Sequence, residues 1–104
     1  MKSNPNPQTG PLTALAQLLS EHPELPPLDW SVTASGFLHG AWSGDEDVRP
    51  LIDAYAAVLG GEPSDYSYTR SGGRRAGFAL KAVWRDISFD VWVSGPARVQ
   101  GVAA

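Results

Sequence analysis

Apolar residues recur along this chain first at helical and then at strand spacing, and the alternation happens twice. Leu12, Leu15, Ala16 and Leu19 stand at i, i+3, i+4 and i+7, the spacing of one buried helical stripe. Thr9 or Gly10 is placed to cap that helix, with Pro11 in its first turn, where no backbone donor is lost. His22-Pro23 ends it, because a residue before proline is pushed out of the α region. From Leu28 to Ser35 the period drops to two. Trp30, Val32 and Ala34 fall on one side and Ser31, Thr33 and Ser35 on the other, as in a half-buried strand. Gly36 turns the chain and Phe37–Trp42 returns. A second helix starts from an Asp47 cap with Pro50 in its first turn. It buries Val48, Leu51, Ile52, Tyr55, Val58 and Leu59, and Gly60-Gly61 ends it. Asp65–Arg70 reads as a short strand and 71–75 as its turn. Phe78, Leu80, Ala82 and Trp84 then face inward, Arg85-Asp86 reverses the chain, and Ile87, Phe89, Val91 and Val93 return on the same face.

The two passes resemble each other in detail. Pro27–Gly36 comes back 36 positions later as Pro63–Gly72, with six of ten positions identical and Trp30 matched by Tyr66. The same offset carries Leu12, Leu15, Ala16 and Leu19 onto Val48, Leu51, Ile52 and Tyr55. An internal repeat of a helix and a hairpin predicts an α+β fold, αββ followed by αβββ. The expected architecture is a two-layer sandwich: a five-stranded, mainly antiparallel sheet with two helices on one face, its halves related by a pseudo-two-fold. Neither half offers enough apolar surface to stand alone, so the halves 11–43 and 44–95 share one core in a single domain over 11–95. Residues 1–10 are expected to be a disordered arm and 96–104 a flexible tail.

Composition narrows the function classes. With 104 residues, 42% of them hydrophobic and 18% charged, the chain suits an ordinary folded domain rather than a disordered one. It has no cysteine, which excludes disulfides, thiol catalysis and thiolate-bound zinc. No apolar run is long enough to span a bilayer, and the first ten residues lack the apolar stretch of a secretory signal, so a cytoplasmic location without membrane contact is expected. The net charge of −3 hides an asymmetry. Residues 1–66 carry nine acids against Lys2 and Arg49, whereas 67–104 carry six bases against Asp86 and Asp90.

Candidate chemistry is sparse. His22 lies at a helix C-terminus, where an imidazolium complements the dipole. His39 falls on the sheet face turned away from the helices, together with Phe37, Ser31, Thr33, Ser67, Thr69, Lys81, Val83, Ser88, Asp90 and Trp92. A hydroxyl-rich surface holding Phe37, Val83 and Trp92 suits macromolecular recognition, since exposed aromatics anchor interfaces. Ser31, His39 and Asp90 contain the residue types of a hydrolytic triad, but no strained turn presents a serine. Asp45-Glu46-Asp47 lacks the spacing of a calcium loop and serves the helix N-terminus instead. The basic turn, Arg70, Arg74 and Arg75, with Lys81 and Arg85, is the alternative site, for nucleic-acid phosphates.

A Leu/Ala helix, the hairpin Pro26-x-x-Asp29-Trp30-Ser31-Val32-Thr33-x-Ser35-Gly36, a second helix and a Tyr-rich strand running on to Trp84 together resemble small uncharacterised actinobacterial proteins, over about residues 12–94. The resemblance implies a GC-rich host and a cytoplasmic location, and carries over no functional residues. The expectation is therefore a non-enzymatic protein-binding or regulatory module. Phe37, His39, Val83 and Trp92 would contact an unidentified protein or a second copy in a homodimer. No cofactor, metal or catalytic residue is expected.

Overall fold

The computed structural model describes residues 6–70 and 73–97. Helix α1 spans Thr9–Glu21, strand β1 Asp29–Val32, strand β2 Leu38–Ser43 and helix α2 Arg49–Leu59. Strands β3 (Ser64–Asp65), β4 (Tyr68–Arg70), β5 (Gly73–Trp84) and β6 (Ile87–Pro96) complete an α+β fold. The strands form one mixed sheet in the order β1-β2-β6-β5-β3, with β4 also paired to β5. Every pairing is antiparallel except that of β2 with β6.

The strand count is six rather than five because 65–70 is broken in the middle. The Ser67 N–H and Oγ–H both donate to Asp65 Oδ1 at 2.9 Å, so local side-chain bonding replaces the ladder there. The long hairpin forms where alternation and turn chemistry place it. Trp84 faces Ile87 across a two-residue reversal, with Arg85 (φ 52°) and Asp86 (φ 68°) both in the left-handed region.

One sheet face carries the core. Leu38, Leu80, Phe89, Val91 and Val93 pack with Ala14 and Leu18 of α1 and with Ile52, Tyr55 and Leu59 of α2. Trp30 stands edge-on to Tyr55 and to Phe89, each at a centroid distance of 6.0 Å, which seals the β1 end of this layer. The Tyr55 O–H donates to the Pro26 carbonyl and so ties α2 to the segment leading into β1. Burial pushes this phenol up to about 12, so it remains a neutral donor throughout the ordinary pH range.

Helix α1 is turned differently from the expected stripe. Pro11, Ala14 and Leu18 are buried, whereas Leu12 (55%) and Leu19 (41%) are exposed. A contact at the β5–β6 turn accompanies this rotation. Arg85 donates to Gln17 Oε1 at 2.9 Å and makes two bonds to the Glu21 carboxylate at 2.6 and 2.7 Å. Gln17 and Glu21 share one helical face, so their contact with Arg85 agrees with the face that buries Ala14 and Leu18. The hydrogen bonds from Arg85 hold the Glu21 carboxyl below the usual carboxylate range.

Neither expected cap, Thr9 nor Gly10, caps this helix: both lie within it, and the N-cap is Gln8. The Gln8 Nε2 donates to the carbonyls of Val32 and Thr33 at 3.2 and 3.3 Å. The end of the expected arm is therefore attached to the first hairpin. The remainder of that arm, residues 1–5, lies outside the described residues, as do residues 98–104 of the expected tail 96–104, whose first residue, Pro96, ends β6 in register with Arg75. In α2 the N-cap is Val48, one residue later than the expected Asp47, and it makes no side-chain cap bond; the Asp47 carboxylate accepts the Arg49 N–H at 3.1 Å from just outside the helix, and Pro50 sits in the first turn. Among the described residues no helix is long and apolar enough to cross a membrane.

The rotation of α1 separates two neighbouring leucines. Leu18→Ala is expected to cost about 2–5 kcal/mol in denaturant unfolding, because it leaves a cavity in the core. Leu19→Ala is expected to cost less than about 1 kcal/mol. The opposite order would restore the stripe of Leu12 and Leu19 to the interior.

Candidate functional site

The sheet face turned away from the helices is organised in rows, because paired residues in adjacent strands point the same way. One polar row crosses four strands, from Ser31 to His39, Asp90 and Lys81. The next holds Ala41, Trp92 and Ala79. On the opposite side of the polar row lie Ser88 and Val83, paired across the long hairpin.

Two halves of this face differ in what covers them. Toward the ends of β2 and β6, the Tyr66 ring crosses β5 at Gly77, where a Cβ would stand 2.4 Å from its ring carbons. That glycine allows Tyr66 to reach Trp92, at 4.9 Å between centroids, and to donate its O–H to the Val93 carbonyl at 3.1 Å. Burial raises the Tyr66 phenol above its ordinary range. Tyr68 stacks beside Tyr66 at 6.0 Å and exchanges a 2.8 Å hydrogen bond with the Ser94 hydroxyl. Arg75 lies over the same end, donating from one terminal nitrogen to the Gly44 carbonyl at 2.9 Å and, more loosely, to the Ser94 hydroxyl at 3.4 Å.

The other half is open. Phe37, just before β2, and Val83 of β5 are exposed at 37% and 67%. With Lys81, Ser88 and Asp90 they line a shallow depression of about 420 Å³. Asp90 accepts the Trp92 Nε1–H at 2.7 Å on one oxygen and faces His39 Nδ1 at 3.5 Å on the other. Lys81, in register with Asp90, has no hydrogen-bond or ion-pair partner among the described residues.

Of the four residues expected to contact a partner, Phe37 and Val83 line the depression and His39 borders it through Asp90. Trp92 does not line it. It is half-buried beneath Tyr66, so it supports the surface rather than presenting an anchor. Tyr66 and Tyr68 were not singled out by sequence reasoning. Their signal was Gly77, an isolated glycine inside an otherwise alternating strand, which marks a close approach of another chain segment.

The expected phosphate-binding set does not form one patch. Arg75 folds onto the sheet, Arg85 is held by Glu21 at the far end of the long hairpin, and Lys81 sits midway on the outer face. Ten residues of extended strand separate Arg74 from Arg85, roughly 35 Å. The Arg70 side chain lies outside the described residues. Ser31, His39 and Asp90 are neighbours, but the Ser31 hydroxyl is turned to the His39 backbone carbonyl at 3.4 Å. Hydroxyl, imidazole and carboxylate are thus not chained as nucleophile, base and orienting acid. Among the described residues no group of three or more acidic, histidine or cysteine side chains is arranged to hold a metal ion. No protein family, curated protein or solved structure matches this chain.

Gly77→Ala isolates the role of the aromatic cover. It is expected to destabilise the fold by about 1–3 kcal/mol, because the added methyl meets the Tyr66 ring. Tryptophan emission should shift to the red as Trp92 gains water. An unchanged spectrum and unchanged stability would show that Tyr66 does not rest on β5.

Proposed function

We propose that this protein is a non-enzymatic binding module that docks an acidic, apolar segment of a partner protein on the open half of its outer sheet face. The observation that carries this reading is the pairing of two uncovered apolar side chains, Phe37 and Val83, with an ammonium group, Lys81, that has no partner among the described residues. An apolar side chain of the partner would remove Phe37 and Val83 from water, and full burial of a valine is worth about 1.5–3 kcal/mol. A neighbouring carboxylate would meet Lys81, which contributes selectivity more than affinity at an exposed site. Asp90 does not reverse that preference, because it is already engaged by Trp92 Nε1 and faces His39. Binding rather than catalysis fits the polar row, where the Ser31 hydroxyl is turned to a backbone carbonyl and Asp90 accepts from Trp92 Nε1.

Three fluorescently labelled decapeptides, one of Leu and Glu, one of Leu and Lys, and one of Gly and Glu, test this by anisotropy titration. The Leu/Glu peptide is expected to bind best. Val83→Asp should weaken it at least tenfold, about 1.4 kcal/mol, with far-UV circular dichroism unchanged. Lys81→Glu should transfer the preference to the Leu/Lys peptide. Equal binding of all three, or indifference to both substitutions, would overturn the reading. So would concentration-dependent self-association that Val83→Asp abolishes, because the occupant would then be a second copy.

A further inference from the structure

A second concavity lies well away from the outer face, where the start of α2 meets the broken β3–β4 strand and the beginning of β5. It encloses about 430 Å³, and its lining includes two carboxylates, Asp47 and Asp65, two guanidinium groups, Arg49 and Arg74, and the side chains of Ser67, Ala76 and Phe78. That volume is within the usual range for small-molecule sites. We propose that this cleft binds a small zwitterion of the α-amino-acid type, with an apolar side chain.

The cationic side of the cleft is prepared for a carboxylate. Arg49 Nε bonds both oxygens of Asp53 at 3.1 Å, and its guanidinium lies 5.2 Å over the Phe78 ring. These contacts hold the group in place while leaving its two terminal nitrogens without a hydrogen-bond partner among the described residues. A guanidinium held in this manner loses little freedom on meeting a carboxylate, which it matches with two parallel donors. Arg74, on β5, likewise has no side-chain partner among the described residues.

The anionic side is Asp65. Its Oδ1 receives both Ser67 bonds, and Oδ2 has no partner among the described residues. Those bonds, helped by the nearby charges of Arg49 and Arg74, hold the Asp65 carboxyl below its ordinary range and therefore ionised. Yet neither arginine forms an ion pair with it. Cations and a carboxylate that influence each other without contact leave room for a ligand carrying both complements. A simple anion would meet Asp65 and a simple amine would meet the two arginines, so each single-charge ligand is disfavoured by one side of the cleft. Phe78 and Ala76 provide an apolar floor for a side chain.

Titration of the isotope-labelled protein with L-phenylalanine, 3-phenylpropionate and phenethylamine, followed by amide chemical shifts, tests the assignment. L-Phenylalanine is expected to saturate at millimolar concentration and to move the amides of residues 65–67, 74–78 and the first turn of α2. The two single-charge analogues should bind at least tenfold more weakly. Arg74→Gln and Asp65→Asn, each with a native spectrum elsewhere, should each reduce L-phenylalanine affinity about tenfold. Equal binding of 3-phenylpropionate would make this an anion site, and equal binding of phenethylamine a cation site. Either result overturns the proposal, as do shifts confined to other regions or no shift with any of the three.

Discussion

The pairing of β6 with two different neighbours holds the molecule together. On one side it runs antiparallel to β5 through a tight hairpin, and on the other it runs parallel to β2, from which it is separated by α2 and three strands. A parallel pair needs a long crossover, and here the crossover contains an entire helix and the β3–β5 ribbon. The last strand is thereby placed between the first hairpin and the second. Leu38, Gly40 and Trp42 meet Phe89, Val91 and Val93 along this seam, so the inner residues of β2 and β6 form one continuous floor. Both helices pack on that floor, and neither hairpin alone would supply it.

The two sheet faces are consequently very unequal. On the inner face nearly every side chain is covered by α1, α2 or Trp30. On the outer face the cover is local, supplied by Tyr66, Tyr68 and Arg75 leaning over the ends of β5 and β6. The boundary between covered and open surface runs along the row Ser31, His39, Asp90 and Lys81. Asp90 stands at the junction, bonding Trp92 on the covered side while lining the depression on the open side. Any segment docking against Phe37 and Val83 would therefore meet a surface whose polar edge is already oriented by bonds within the protein, and this limits the ordering cost of binding.

Much of this was legible in the chain because strand alternation has only two phases. Once Trp84 and Ile87 are joined by a two-residue turn, the inward set Phe78, Leu80, Phe89, Val91 and Val93 follows, and so does the outward set Lys81, Val83, Ser88 and Asp90. Helix α1 was less legible because it is apolar almost all round: Leu12, Ala14, Leu15, Ala16, Leu18 and Leu19 satisfy more than one helical stripe. The choice is made by tertiary packing of Ala14 and Leu18 on the sheet, accompanied by the contact of Arg85 with Gln17 and Glu21, and no local pattern contains either. The parallel sense of β2 against β6 was equally invisible, since alternation reads the same in both directions. The break at Ser67 was hidden by the likeness of Pro63–Gly72 to Pro27–Gly36. Side-chain bonding by Asp65 overrides a strand pattern that its counterpart Asp29 keeps. At the candidate surface, residue direction was readable for Phe37 and Val83, whereas the burial of Trp92 depended on Tyr66 crossing at Gly77.

Cross-strand nuclear Overhauser effects between β2 and β6 test this arrangement most directly. Backbone contacts are expected to pair Leu38 with Phe89, Gly40 with Val91 and Trp42 with Val93, in the same order along both strands. Contacts that run in opposite order, with Leu38 beside Val93 and Trp42 beside Phe89, or their complete absence from this seam, would contradict the shared floor and the outer surface built on its reverse side.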